Sequence, residues 1–77
     1  MVLSAAQCRA GRALVKLTQN DLSAAAKVAK KTITDFEIEG RTPYPRTLEA
    51  LQAALEAAGV EFIAENGGGA GVRLRKL

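Results

Sequence analysis

A chain of 77 residues makes one small domain with a thin core of its own, because at this size folding buries only about 60% of the extended chain's surface. Fifteen of its hydrophobic residues are alanine, so the bulky apolar content is lower still and pairing with a second copy is expected. With no histidine, one cysteine and two isolated serines (Ser4, Ser23), the composition gives no proton shuttle near neutral pH, no disulfide, no zinc-ligand set and no activated nucleophile, so no enzyme, metal or cofactor is expected.

The net charge of +3 is unevenly spread: residues 1–34 hold six Lys or Arg against one acid, residues 35–65 two against seven, and residues 66–77 three against none. A basic first half is the footprint of a phosphate-binding surface, and also of an ordinary solvated face. No apolar run reaches the ~7 to 15 residues of a signal peptide core or the ~18 of a membrane span, so a cytoplasmic protein without a membrane partner is expected.

Residues 4–17 predict a first helix, with Ala6, Ala10, Ala13, Leu14 and Leu17 on an inward face and Arg9, Arg12 and Lys16 forming a basic stripe. Cys8, among Ala5, Ala6 and Ala10, reads as a buried structural thiol. A second helix starts at Thr18, which with Asp21 completes a capping box, and turns Leu22, Ala25 and Ala26 inward. "AAAKVAKK" then breaks the apolar rhythm. With Val28 as an inward anchor in a short turn, a third helix begins near Ala29 and buries Ala29, Ile33 and Phe36 at i, i+4 and i+7. Its opposite face carries Lys30, Lys31, Thr34 and Asp35, donors and acceptors of the kinds that read base edges in a DNA major groove, although a solvated face has the same composition.

"GRTPYPRT" is a connector, and a fourth helix starting at Pro45 or Thr47 buries Leu48, Leu51, Leu55 and Ala58 before Gly59 stops it. "VEFIA" sets Val60, Phe62 and Ala64 against Glu61, Ile63 and Glu65, and "GVRLR" sets Val72 and Leu74 against Arg73 and Arg75, which predicts a hairpin turning at residues 66–69. The glycines of "ENGGGAG" lack the Lys-Ser/Thr of a phosphate loop, and Val72 stands where a dinucleotide loop needs glycine, so they read as a turn. A lone hairpin is marginal in water and its open edge invites a second chain. Val60, Phe62, Val72 and Leu74 are accordingly the expected dimerisation residues, with a frayed tail as the alternative reading. The fold expected is mainly α and a single domain over residues 1–77, with helices in 4–59 and a C-terminal β-hairpin in 60–77.

The order of these elements resembles the Cro and phage-repressor type of helix-turn-helix protein, the xenobiotic-response-element (XRE) family. The likeness covers residues 4–63 and rests on Arg12 seven residues before Gln19, the "TQ" that opens the second helix, Leu22, Ala26, Val28, Ile33, Glu37, and the "LxxLxxAL..GV" shape of the fourth helix. It implies a four-helix repressor-like helix-turn-helix domain. Residue by residue, it implies that Gln19 contacts a phosphate and braces the recognition helix, that Lys30, Lys31, Thr34 and Asp35 read bases, that Thr32 lies close to the DNA backbone, and that Arg41 touches phosphate or the minor groove. It further implies a partly buried ion pair between Arg12 and Glu37.

Three departures stand out: Lys27 where the family has a turn glycine, Ala29 in place of a serine cap, and the negative Asp35 on the reading face. The function implied is a sequence-specific DNA-binding transcriptional regulator, a repressor, that binds a pseudo-palindromic operator in double-stranded DNA as a homodimer. The alternative is an antitoxin or other protein-binding module that uses the same fold to hold a protein partner.

Overall fold

The computed structural model describes residues 1–76. Four helices, α1 (Ala5–Val15), α2 (Gln19–Ala26), α3 (Lys30–Glu37) and α4 (Pro45–Ala57), precede one antiparallel hairpin of β1 (Val60–Ile63) and β2 (Gly71–Leu74). Local chemistry sets most of these boundaries. Two helices begin at reciprocal capping boxes, Ser4 with Gln7 and Thr18 with Asp21, which satisfy backbone N–H groups that have no intrahelical partner. The fourth opens with Pro45 in its first turn, where a missing N–H costs nothing. The third begins at Ala29 with no side-chain cap, as expected from the loss of serine there.

The ends are less ordinary. Lys16 (φ 60°) closes α1, Lys27 (φ 58°) closes α2, and Glu39 (φ 61°) follows α3, so a non-glycine residue adopts the left-handed conformation at each of the first three junctions. Lys16 stops α1 two residues before the expected end, and Leu17 packs on the core from the turn instead. Gly59 (φ 115°) then lets the chain leave α4 and enter β1 directly.

Leu22, Ile33, Leu51, Leu55, Val60 and Cys8 are fully buried at the centre. Around them α2 packs on α3 and α4, while α1 packs against both α3 and the hairpin. The hairpin is docked. Gln7, only 4% exposed, donates through Nε2 to the carbonyls of Gly71 (3.1 Å) and Ile63 (3.4 Å) while its Oε1 accepts from the Ser4 N–H. On the outer face Arg73 pairs with Glu61 across the strands at 2.7 Å. Among the described residues no helix is long and apolar enough to cross a membrane.

The inward face of α1 differs from the expected one. Ala6, Ala10, Ala13 and Leu14 are exposed, and the buried residues are Ala5, Gln7, Cys8 and Gly11. Gly11 lies on the buried face, turned toward Leu55, Val60 and Phe62 with room for a Cβ at ordinary contact distance from all three. Alanine-rich helices carry little orientational bias, and the face that meets the hairpin carries a glycine and a hairpin-bonded glutamine that apolar periodicity does not count. For similar reasons Ala25, Ala29 and Ala58 are exposed rather than inward. Val60, expected at a dimer surface, is 1% exposed and sits in the chain's own core, and Phe62 and Val72 pack beside it. Of those four residues Leu74 alone is largely exposed, at 56%.

Candidate functional site

The helix α3 is tied to α1 and α2 by a buried carboxylate. Glu37, 2% exposed, lies in the last turn of α3, an unfavourable place for a negative charge, and four donors converge on it. Arg12 donates from Nε to Oε2 (2.8 Å) and from Nη2 to Oε1 (2.6 Å), a bidentate pair that fixes the guanidinium plane. Gln19 Nε2 adds 3.0 Å to Oε1 and the Cys8 thiol 3.1 Å to Oε2. Burial alone pushes the Glu37 carboxyl up, but the bonds from Arg12, Gln19 and Cys8 outweigh it and hold the group below its ordinary range. The same burial, with the adjacent carboxylate, pushes the Cys8 thiol up to about 12, so it remains a neutral donor.

The network continues outward. Gln19 Oε1 accepts from Thr34 Oγ1 at 2.8 Å, so one amide links α2 to both Thr34 and Glu37 of α3. Arg12 Nη1 donates to the Leu17 carbonyl (3.0 Å), Arg9 donates to the Glu37 carbonyl, and Ser23 Oγ donates to the Val28 carbonyl (2.6 Å) across the turn. Among the described residues no buried side-chain polar atom lacks a partner. A satisfied network in a low-dielectric interior resists rotation of its members, so the orientation of α3 is fixed through α1 and α2.

On the outer side Lys30 and Lys31 are exposed, and Lys31 Nζ lies 3.3 Å from Asp35 Oδ2, one helical turn on. The acid thus meets a neighbouring lysine. Lys31, Thr32, Asp35 and Arg41 come together with Ala29 and Pro43 around a cavity of about 290 Å³ between α3 and the loop after it. A second groove of about 350 Å³ continues along Thr32, Arg41, Thr42, Tyr44 and Thr47. Lys30 and Gln19 line neither concavity. Lys27, Lys30, Lys31 and Arg41 are all exposed cations.

Sequence reasoning missed Gln7, Arg9 and Ser23, as well as the bond from Cys8 to Glu37. The Ser4-x-x-Gln7 spacing is a capping-box signal that places Gln7 at the start of α1, but its second role, on the hairpin, joins residues 64 apart and leaves no local trace. Compared with protein-family models and with curated proteins, the chain matches none. The functional reading therefore stands on the side chains.

Proposed function

We infer that the protein is a sequence-specific DNA-binding transcriptional regulator, a repressor of the Cro-like helix-turn-helix type, that binds a pseudo-palindromic operator as a homodimer. One observation carries this reading: α3 presents Lys30 and Lys31, with Asp35 drawn to Lys31, on its outer side, Thr34 stands half-buried at the border of that side against Gln19, and Gln19 and Glu37 tie the helix to α1 and α2. A rigid eight-residue helix with cations and small polar groups on its free face suits the major groove, where lysine donates to guanine O6 and N7. Thr32, Arg41, Thr42, Tyr44 and Thr47 supply hydroxyl and guanidinium donors beside that helix, as contacts to the phosphate backbone require. Asp35, drawn to Lys31, adds little negative field and keeps an oxygen free to accept from cytosine N4.

Selection of bound sequences from random duplex DNA by the purified protein tests this reading. A shared pseudo-palindromic motif is expected, with half-sites about one helical turn apart. Neutralising ~4 to 8 phosphates per dimer sets the slope of log affinity against log salt at roughly −4 to −7. Selected DNA without a common motif, bound with an affinity indifferent to salt, would overturn it and leave the protein-binding alternative.

A further inference from the structure

The hairpin register determines which backbone groups are already paired. Arg75 N–H donates to the Gly59 carbonyl at 2.7 Å, and Val60, Glu61, Phe62 and Ile63 face Leu74, Arg73, Val72 and Gly71 in turn. Facing residues in an antiparallel ladder alternate between pairs that exchange hydrogen bonds and pairs that do not. The Gly59 to Arg75 bond therefore makes Glu61 with Arg73, and Ile63 with Gly71, the bonded pairs. The N–H and C=O groups of Val72 and Leu74 point away from β1. Among the described residues the sheet has two strands, so these groups form an open edge, and Leu74 beside it is 56% exposed.

Next to this edge lies an exposed apolar face of α1 that, among the described residues, has no partner. Ala6 and Ala10 share a shallow groove with Val72, and Leu14 continues the same face one turn further on. Arg9 and Arg12 are directed elsewhere, to the Glu37 carbonyl and carboxylate. An unpaired strand edge bordered by apolar side chains is a surface for another strand.

We propose that this edge is the interface between two copies of the chain, with β2 pairing antiparallel to β2 of the second copy about a twofold axis at Val72. The result is one four-stranded sheet with both α1 helices on the same side, their Leu14 faces meeting over it. Charge selects both the register and the occupant. Centred on Arg73 the pairing would set Arg73 against its own copy, and centred on Leu74 it would set Arg73 against Arg75; like charges directly opposite destabilise a sheet. Centred on Val72, each copy's Arg73 meets Gly71 of the other, and Leu74 and Arg75 run on beside the turn that precedes the other copy's β2. Arg75 then reaches the end of the hairpin that carries Glu65. Among the described residues neither Arg75 nor Glu65 forms an ion pair within the chain. The pattern complements itself, as an isologous contact must. This is the dimer that operator binding calls for, but its test needs no DNA.

Sedimentation of the full chain across the micromolar range, with amide exchange at Val72 and Leu74, tests the proposal. The unmodified chain is expected to sediment as a dimer, with both amides protected more strongly as concentration rises. Ala10→Glu puts a charge on the exposed α1 face, and Val72→Pro removes an N–H that the hairpin itself does not use. Each is expected to halve the sedimenting mass and leave the helical circular dichroism unchanged. A monomeric unmodified chain, a dimer that survives both substitutions, or unprotected Val72 and Leu74 amides in the unmodified dimer would overturn the proposal. If both variants unfold, amide exchange in the unmodified chain decides alone.

Discussion

Thr34 Oγ1 donates a 2.8 Å hydrogen bond to Gln19 Oε1, joining the first residue of α2 to the middle of α3. The bond uses the only proton of the hydroxyl. What Thr34 can still offer a ligand is a lone pair, so against DNA it acts as an acceptor, suited to the amino groups of cytosine or adenine.

Readout should therefore divide by residue. Lys30→Ala and Lys31→Ala are each expected to cost about 1 to 3 kcal/mol of operator affinity and to relax preference at particular base pairs. Thr34→Val should erode preference at one amino-bearing position, whereas Arg41→Ala should weaken every sequence alike. Binding measured against a panel of single-base operator variants checks the contrast; a uniform loss from the lysines would reduce them to phosphate contacts.

Arg12 and Glu37 should behave as a coupled pair. Removing either partner alone, as Arg12→Met or Glu37→Gln, strands a buried polar group and is expected to cost about 3 to 5 kcal/mol. The double substitution should cost less than the sum of the two. A denaturant-based double-mutant cycle measures the coupling, and additive losses would mean that the contact contributes nothing specific.

Stability should fall toward both ends of the pH scale for identifiable reasons. Glu37 has a depressed folded value, so its contribution is complete above the ordinary glutamate range near ~4.3 and is lost as pH falls through that lower value. Glu37→Gln should flatten the acid limb. Cys8 has the opposite sense: the unfolded thiol ionises from about 8.5 upward, while the folded one stays protonated to about 12. Stability should drop by up to about 1.4 kcal/mol per pH unit across that interval and do so less steeply in Cys8→Ala. Equilibrium unfolding at a series of pH values reads both limbs.

Glycine stands where the backbone does not require it and is missing where it would help. A Cβ at Gly11 would sit 3.5 Å from Leu55 and Val60, ordinary contact distance, in the middle of a helix. Gly11→Ala should therefore stabilise by about 0.5 to 1 kcal/mol through helix propensity. Lys27 is left-handed at φ 58°, and Lys27→Gly should stabilise by a similar amount, about 0.5 to 1 kcal/mol, after the entropy of the added glycine is deducted. Thermal melts check both, and a destabilised Lys27→Gly would show that the lysine side chain matters more than its backbone.

Much of this architecture was legible from sequence wherever a signal is local. Thr18 and Asp21 mark the start of α2 because a capping box lies within one turn, and the strands of the hairpin show their two-residue alternation. The restart at Val28 and Ala29 located α3, and the outer face of α3 follows once Ile33 and Phe36 are inward. Orientation of α1 was not legible, because alanines populate several of its faces and the buried one carries Gly11 and Gln7, whose partners lie more than forty residues away. Nor was the size of the Glu37 network, since Cys8 offers no donor pattern in a sequence.

The clasp formed by Gln7 bears on how the chain folds in time. Its bonds span 56 and 64 residues, whereas α2, its turn and α3 touch within a few residues of one another. Closing the longer loop costs more chain entropy before any contact rewards it, so the helices are expected to assemble first and the hairpin to dock on them late. Contacts formed after the transition state govern the rate of escape from the native state rather than the rate of arrival. The glutamine at the start of α1 is thus a latch whose loss is expected to leave refolding as fast as before and to shorten the lifetime of the folded chain.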